Sequence, residues 1–262
     1  MKRAIVCAAA GRFRRAGVLC LSVAALCATT ATTAAGPAAT PQRPSLSASV
    51  WTVPRGLFEL EAGAGFSEGS GALPLFGKYG ATDALELEVG IDAVRWVDGP
   101  GDGETSIGDV LLGARWRPAR ENRRCQLAVA GLIKLPTASD NAGSGEIDAT
   151  VAGIASVPFD NGLGLDVNLV WSGLGRDPGG TLGQVQAIAT LGVPLDARWS
   201  SFVEVAFQRT AGQGDGGFFD AGVAFTATPR AVFDIAAGVG WSDGYPDWSV
   251  AAGWTVLFSR GR

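Results

Sequence analysis

The sequence contains no histidine, one methionine and four cysteines. Without histidine, Ser-His-Asp and Cys-His nucleophilic chemistry and His-ligated metal sites are excluded. Cys7, Cys20 and Cys27 lie near the start, so Cys125 stands alone once a leader is removed and no internal disulfide can form. Lysine is scarce, occurring as Lys2, Lys78 and Lys134. Long apolar runs are missing as well. Beyond the leader no uncharged apolar stretch reaches the roughly 18 residues of a membrane helix. A helical bundle is therefore excluded, although 47% of the residues are hydrophobic. What is plentiful is glycine, 38 residues, together with Val, Ala, Leu and aromatics; this composition points to an all-β protein.

Residues 1–35 read as a signal peptide. Lys2, Arg3, Arg12, Arg14 and Arg15 supply the basic start, Ala16 to Ala28 the apolar run, and Thr29 to Ala39 the small residues of a cleavage region. Cys20 and Cys27 each follow Leu, where a lipid-attachment site wants a small residue. Loss of the leader takes five bases and no acids, leaving 16 bases against 25 acids, a net charge of −9. Nucleic acid is an unfavourable partner for such a chain.

From Leu57 onward the sequence falls into segments that alternate apolar with polar or small residues, bounded by turn residues. In Leu85 to Ala93, Leu85, Leu87, Val89, Ile91 and Ala93 share one parity, while Glu86, Glu88, Gly90 and Asp92 share the other. Successive strand side chains point to opposite faces, so this is a ribbon with one apolar and one acidic face. Phe58 to Phe66 and Trp248 to Phe258 show the same split, with weaker strands at Leu73 to Gly80 and Cys125 to Leu135. The reading gives about twelve strands. Short turns at 81–83, 118–124, 160–162, 194–198 and 228–230 alternate with longer links at 67–72, 97–105, 137–145, 173–180, 210–217 and 243–246. Short turns on one side and longer loops on the other characterise bacterial outer-membrane barrels. Trp116 and Trp199 fall at one set of strand ends and Trp171, Trp241 and Trp248 at the other, as aromatic belts at two membrane interfaces require.

The expected fold is all-β: a transmembrane antiparallel up-and-down β-barrel over 56–258, preceded by a Pro-rich periplasmic segment at 36–55 and followed by a tail at 259–262. A secreted β-sandwich would show more lysine on its wet face and would need protected edges. A charge on a barrel's lipid face costs roughly 2–4 kcal/mol for Arg or Lys at mid-bilayer, so the charged parity is expected to face the lumen. The lumen-facing candidates are Glu59, Glu61, Lys78, Glu86, Glu88, Asp92, Asp109, Arg115, Arg117, Lys134, Asp148, Asp166, Glu204, Asp220 and Asp234. Later strands present small inward groups, among them Gly222, Gly238 and Gly253. The opening segment is either a disordered leader or a chain that folds up into the lumen, and its composition favours disorder for its first part.

Several pieces carry a family likeness: Arg43-Pro44, Thr52 to Glu61, Tyr79 to Leu87, Ile107-Gly108-Asp109, Leu135-Pro136-Thr137 and Asp234 to Gly240. With them the chain resembles the outer-membrane transporter family named for the meta-pathway of phenol degradation. The resemblance implies a barrel in the bacterial outer membrane and uptake of small, often aromatic or hydrophobic compounds. The expected function is passive passage of small solutes; the alternative is a structural or partner-binding barrel with a sealed lumen. No catalytic residue, metal site or cofactor is expected. The expected partners are outer-membrane lipid, a small-molecule permeant and the assembly machinery, which would read the terminal Phe258.

Overall fold

Alternating apolar residues with turn signals between them fold, among the described residues, into thirteen strands. The computed structural model describes residues 37–97, 104–118, 124–139, 143–176, 179–242 and 244–258. The signal-peptide reading of 1–35 and the tail at 259–262 lie outside the described residues. The strands are β1 (Phe58–Ser67), β2 (Ser70–Gly80), β3 (Leu85–Val97), β4 (Glu104–Ser106), β5 (Val110–Trp116), β6 (Gln126–Leu135) and β7 (Asp148–Pro158). They continue as β8 (Gly164–Gly175), β9 (Thr181–Pro194), β10 (Trp199–Thr210), β11 (Asp215–Thr228), β12 (Ala231–Trp241) and β13 (Trp248–Phe258).

Neighbours in the wall pair antiparallel, and β1 closes on β13 from Phe58↔Phe258 to Ser67↔Ser249. Closure satisfies the backbone of every stave and removes the edges, the condition for a sheet to cross lipid. The short β4 pairs only with Arg95 to Val97 of β3, while β3 itself pairs with β5, so the wall has twelve staves. The chain is a closed twelve-stranded outer-membrane-type β-barrel.

Parity divides the surface sharply. Leu169 is 62% exposed and Ile235 56%, whereas Glu59, Lys78 and Glu86 are 0% exposed. An aliphatic belt outside and charges inside is the arrangement that lipid demands. Aromatic rings edge the belt. At the loop end Phe66 lies 5.2 Å from Trp96 and Phe207 5.9 Å from Trp241. At the short-turn end Phe58 lies 5.9 Å from Phe258 and Trp199 4.8 Å from Phe225.

Two details depart from the sequence reading. The link expected at 67–72 is a two-residue turn, Glu68-Gly69, with Gly69 at φ 67°, and β2 begins at Ser70. In β3 the alternation breaks at Ala93, because Leu73 pairs with Val94 but Pro74 with Asp92. Pro74 has no N–H for the ladder, and a bulge accommodates it. Beyond the bulge Trp96 joins the outer face, its ring lying over Gly71.

Candidate functional site

The inner wall from β1 to β7 is built from one recurring unit, a base between two carboxylates. Lys78 Nζ lies 2.6 Å from Glu59 Oε1 and 2.5 Å from Glu61 Oε1. Arg115 Nη2 lies 2.9 Å from Glu88 Oε1, with Glu86 Oε1 3.9 Å from its Nε. Lys134 Nζ lies 2.8 Å from Asp148 Oδ2 and 3.4 Å from Asp109 Oδ2. The ladder sets these pairs: Glu59 faces Lys78, Lys78 faces Glu88, Glu86 faces Arg115 and Lys134 faces Asp148. Opposite charges facing across a ladder attract, and burial strengthens them. Lys134, Asp109 and Asp148 also line, with Asp92 and Arg95, a 530 Å³ cavity at the loop end.

The other wall has fewer bases. Glu204 faces Asp220 across the ladder, and both are buried. Asp166 accepts the hydroxyl of Ser156. Asp234 is met by Arg43 Nη2 at 3.3 Å. Arg43 precedes the barrel, and its guanidinium occupies the space a side chain would take at Gly63 and Gly253. The small residues of this wall are a cradle for an incoming group.

That group belongs to the chain before β1, of which residues 39–53 run inside the barrel. Ala39 N–H donates to Pro229 O at 2.8 Å and Gly56 N–H to Gly80 O at 2.6 Å, so the segment enters and leaves by the short-turn end. Between these points its backbone is held by wall side chains. Thr40 N–H donates to Glu59 at 2.7 Å and Gln42 N–H to Glu61 at 2.9 Å. Leu46 and Ser47 donate to the two oxygens of Glu204 at 2.7 and 2.9 Å. Ala48 exchanges two bonds with the Asn168 amide, at 2.7 and 2.8 Å. Val50 donates to Ser156 Oγ at 3.1 Å and Val53 to Glu86 Oε2 at 2.6 Å. Lys78 and Arg115 in turn donate to the carbonyls of Thr40 (2.7 Å) and Ser49 (3.0 Å). Val50 packs on Ala128 and Ile154, and Trp51 lies under Arg117, 4.4 Å from ring to guanidinium.

Of the two readings of the opening segment, the chain folded up into the lumen is the one observed, over residues 39–53, and the disorder favoured for its first part is not. Four prolines and several serines in residues 37–55 give the segment no periodicity of its own, and a segment without secondary structure must find its hydrogen bonds elsewhere. The inward carboxylates supply the acceptors. All fifteen candidates are buried or half-buried, and Glu59, Glu61, Glu86 and Glu204 serve the segment's amides directly. Sequence reasoning passed over Arg43, Ser156, Asn168 and Thr190 as site residues. The last three sit on the polar parity, uncharged, and Arg43 precedes the first strand.

The segment divides the lumen. Gln42 to Ser45 and Ser47 border a 390 Å³ cavity toward the short-turn end, with Asp166, Thr190 and Phe202. They also border a 450 Å³ cavity toward the loop end, with Phe76, Glu88, Arg115, Leu132, Asn168 and Ile188. Above the latter the β12–β13 loop bends inward. Its Tyr245 stacks on Phe218 at 5.3 Å and accepts a bond from Gln186 at 3.5 Å; burial pushes the Tyr245 phenol pKa up.

The family model described as "Putative MetA-pathway of phenol degradation" matches residues 43–258, from Arg43 of the inner segment to Phe258 of the closing strand. The chain belongs to this family. No curated protein sequence matches it. Solved structures similar to this member include the COG4313 outer membrane channel from Pseudomonas putida F1, with TM-score 0.59 and 13% identity over 79% of this chain and 97% of that one. The KdgM porin in complex with disordered oligogalacturonate has TM-score 0.58 and 7% identity over 77% and 99% of the two chains. The NanC porin has TM-score 0.54 and 8% identity over 76% and 98%. At these identities the likeness shows the fold, that of outer-membrane porins and channels, and the protein is an outer-membrane barrel.

Proposed function

We propose that this family member is an outer-membrane channel for passive passage of small solutes, with residues 40–53 as its removable closure. The observation that carries the reading is the partition: the same short stretch, Gln42 to Ser47, forms the floor of one cavity and the roof of the other. A lumen built only to be solid would be filled by wall side chains. Here the wall opposite the ion groups is cut back to small residues such as Gly222, Gly238 and Gly253, and a movable chain fills the space. Fixing a backbone costs about 1–2 kcal/mol per residue, and a hydrogen bond to a charged group contributes roughly 1.5–3 kcal/mol. The two are of one order, so a modest push displaces the segment.

The loop-end cavity suits small solutes with an apolar body and a polar edge, aromatic compounds among them. At 450 Å³ it is of ligand-pocket size, and it is lined both by Phe76, Leu132 and Ile188 and by Glu88, Arg115 and Asn168. The family name, which points to phenol degradation, supports this class. Placing the short turns in the periplasm puts the closure and both chain ends on that side. A second reading, a sealed barrel that binds a partner through its loops, draws on the full burial of Lys78, Glu59 and Glu86 in the network that holds the segment.

Planar-bilayer conductance and liposome swelling on the full chain and on a form lacking 37–51 separate the two. A channel shows a small or intermittent current that becomes steady on deletion, with aromatic solutes swelling vesicles faster than sugars of equal size. Silence from both forms leaves the sealed barrel standing.

A further inference from the structure

We infer that the short-turn rim of the barrel is a docking surface for the phosphate groups of anionic phospholipids. The two rims differ in charge. Among the described residues the short-turn rim carries Arg55, Arg117, Arg124, Arg198 and Arg230. Its acids are Asp83, Asp160 and Asp196. The loop end is acidic: Glu68, Asp92, Asp109, Glu146, Asp148, Asp215 and Asp247 stand against Arg95, Arg176, Arg209 and the lumen-paired Lys134.

The use made of the bases differs as well. Arg43, Lys78, Arg115 and Lys134 each sit in an ion pair inside the barrel, and Arg209 pairs with Asp215 at 3.7 Å on the loop rim. Among the described residues no ion pair engages the five short-turn arginines. Nor does Asp196 compete for them fully, since its Oδ1 is turned back on its own turn to accept the amides of Arg198 (2.7 Å) and Trp199 (2.8 Å).

Position decides the partner. The arginines ring the barrel, in the chain before β1 and in the turns β5–β6, β9–β10 and β11–β12. Arg117 is turned in over Trp51 of the inner segment, and the other four stand just beyond the outward aromatic belt, where Phe58, Trp116, Trp199 and Phe258 are all more than 40% exposed. Arg198 reaches back over the Phe225 ring at 5.8 Å, tying the basic rim to that belt. Aromatic belts lie at headgroup depth, and long basic side chains reach from the belt to the phosphates. The guanidinium fork matches a phosphate with two parallel bonds, which lysine cannot do. The partner is therefore a phospholipid with a net negative headgroup, in the leaflet the short turns face. The acidic loop rim repels the same chemistry on the opposite side.

The test uses the full chain reconstituted in phosphatidylcholine vesicles, with spin-labelled phosphatidylglycerol and phosphatidylcholine as probes of the boundary lipid. Low-salt selectivity for phosphatidylglycerol is expected, falling toward unity in 1 M NaCl, where screening acts over about 3 Å. Combining Arg55→Gln, Arg124→Gln and Arg198→Gln lowers the selectivity by roughly fivefold or more. The same positions changed to Lys retain the salt-sensitive part, and Arg209→Gln on the loop rim changes nothing. Equal binding of the two lipids by the unaltered protein at low salt overturns the inference without any variant. So does selectivity that survives the triple change, or stronger competition by lipopolysaccharide than by phosphatidylglycerol.

Discussion

Ser47 donates its backbone N–H to Glu204 Oε2 at 2.9 Å, joining residues 157 apart in the chain across the interior of the barrel. The other oxygen of the same carboxylate takes Leu46, so one side chain secures the bend of the inner segment. In Glu204→Ala two buried amides lose their acceptor, at about 1–3 kcal/mol each. The displaced form should gain at least tenfold in population, read as longer open times in single-channel recordings.

The hydroxyls of Ser47 and Thr190 are 2.5 Å apart, close enough for a bridge between cysteines at these positions. With Cys125 changed to serine, Ser47→Cys and Thr190→Cys should join on oxidation and hold the segment against β9. Current through the oxidised protein should vanish and return with dithiothreitol. Unchanged current in the oxidised form would show that passage does not require the segment to move.

Lys78 holds two carboxylates while fully buried. Removing one partner of a buried ion group leaves uncompensated charge, which costs about 3–5 kcal/mol. Lys78→Met should lower the free energy of unfolding in urea by an amount of this order. Adding Glu59→Gln and Glu61→Gln should recover much of it, because no net charge is then stranded.

A side chain at Gly253 would begin 2.5 Å from Arg43 Nη2, and as close to the Ala62 carbonyl of the neighbouring stave. Gly253→Val should therefore expel the guanidinium from its cradle and break its contact with Asp234. Overpacking costs roughly 1–3 kcal/mol, so a lower thermal transition is expected together with increased conductance. Gly131, which has open space above it, should tolerate Ala with little change in either.

Two backbone amides hold the Asp196 carboxyl below its usual pKa, the Arg198 bond being the larger cause and the Trp199 bond the next. A depressed folded value means the turn's contribution is complete above the ordinary aspartate pKa and is lost as pH falls through the depressed one. Carboxyl NMR of the Asp196 signal should show that low midpoint. Asp196→Asn should keep the turn and lose the titration.

The wall was legible because lipid and lumen impose opposite chemistry on alternate residues. Leu85 to Asp92 states its strand, its register and its two faces in eight letters. The bulge at Ala93 was not, since it follows from Pro74 on the neighbouring strand, and alternation within one strand carries no word of its partner's missing N–H. The inner segment escaped for a related reason. Its order comes from side chains more than a hundred residues away, such as Asn168 and Glu204, so its own composition favours disorder for its first part and leaves the fold into the lumen only as an alternative. The acidic parity was visible but its purpose was not. Glu59 and Glu204 look like a bias on permeating ions until the amides they accept are in view.

The inner segment is covalently continuous with β1, and β1 is the strand that meets β13 to complete the circle. A circle sealed with residues 39–53 outside would have to admit them afterwards through one of its ends. Both ends of the segment lie at the short-turn end, so the route by which a displaced closure returns also serves the first filling, and the lumen can be stoppered after the circle is complete.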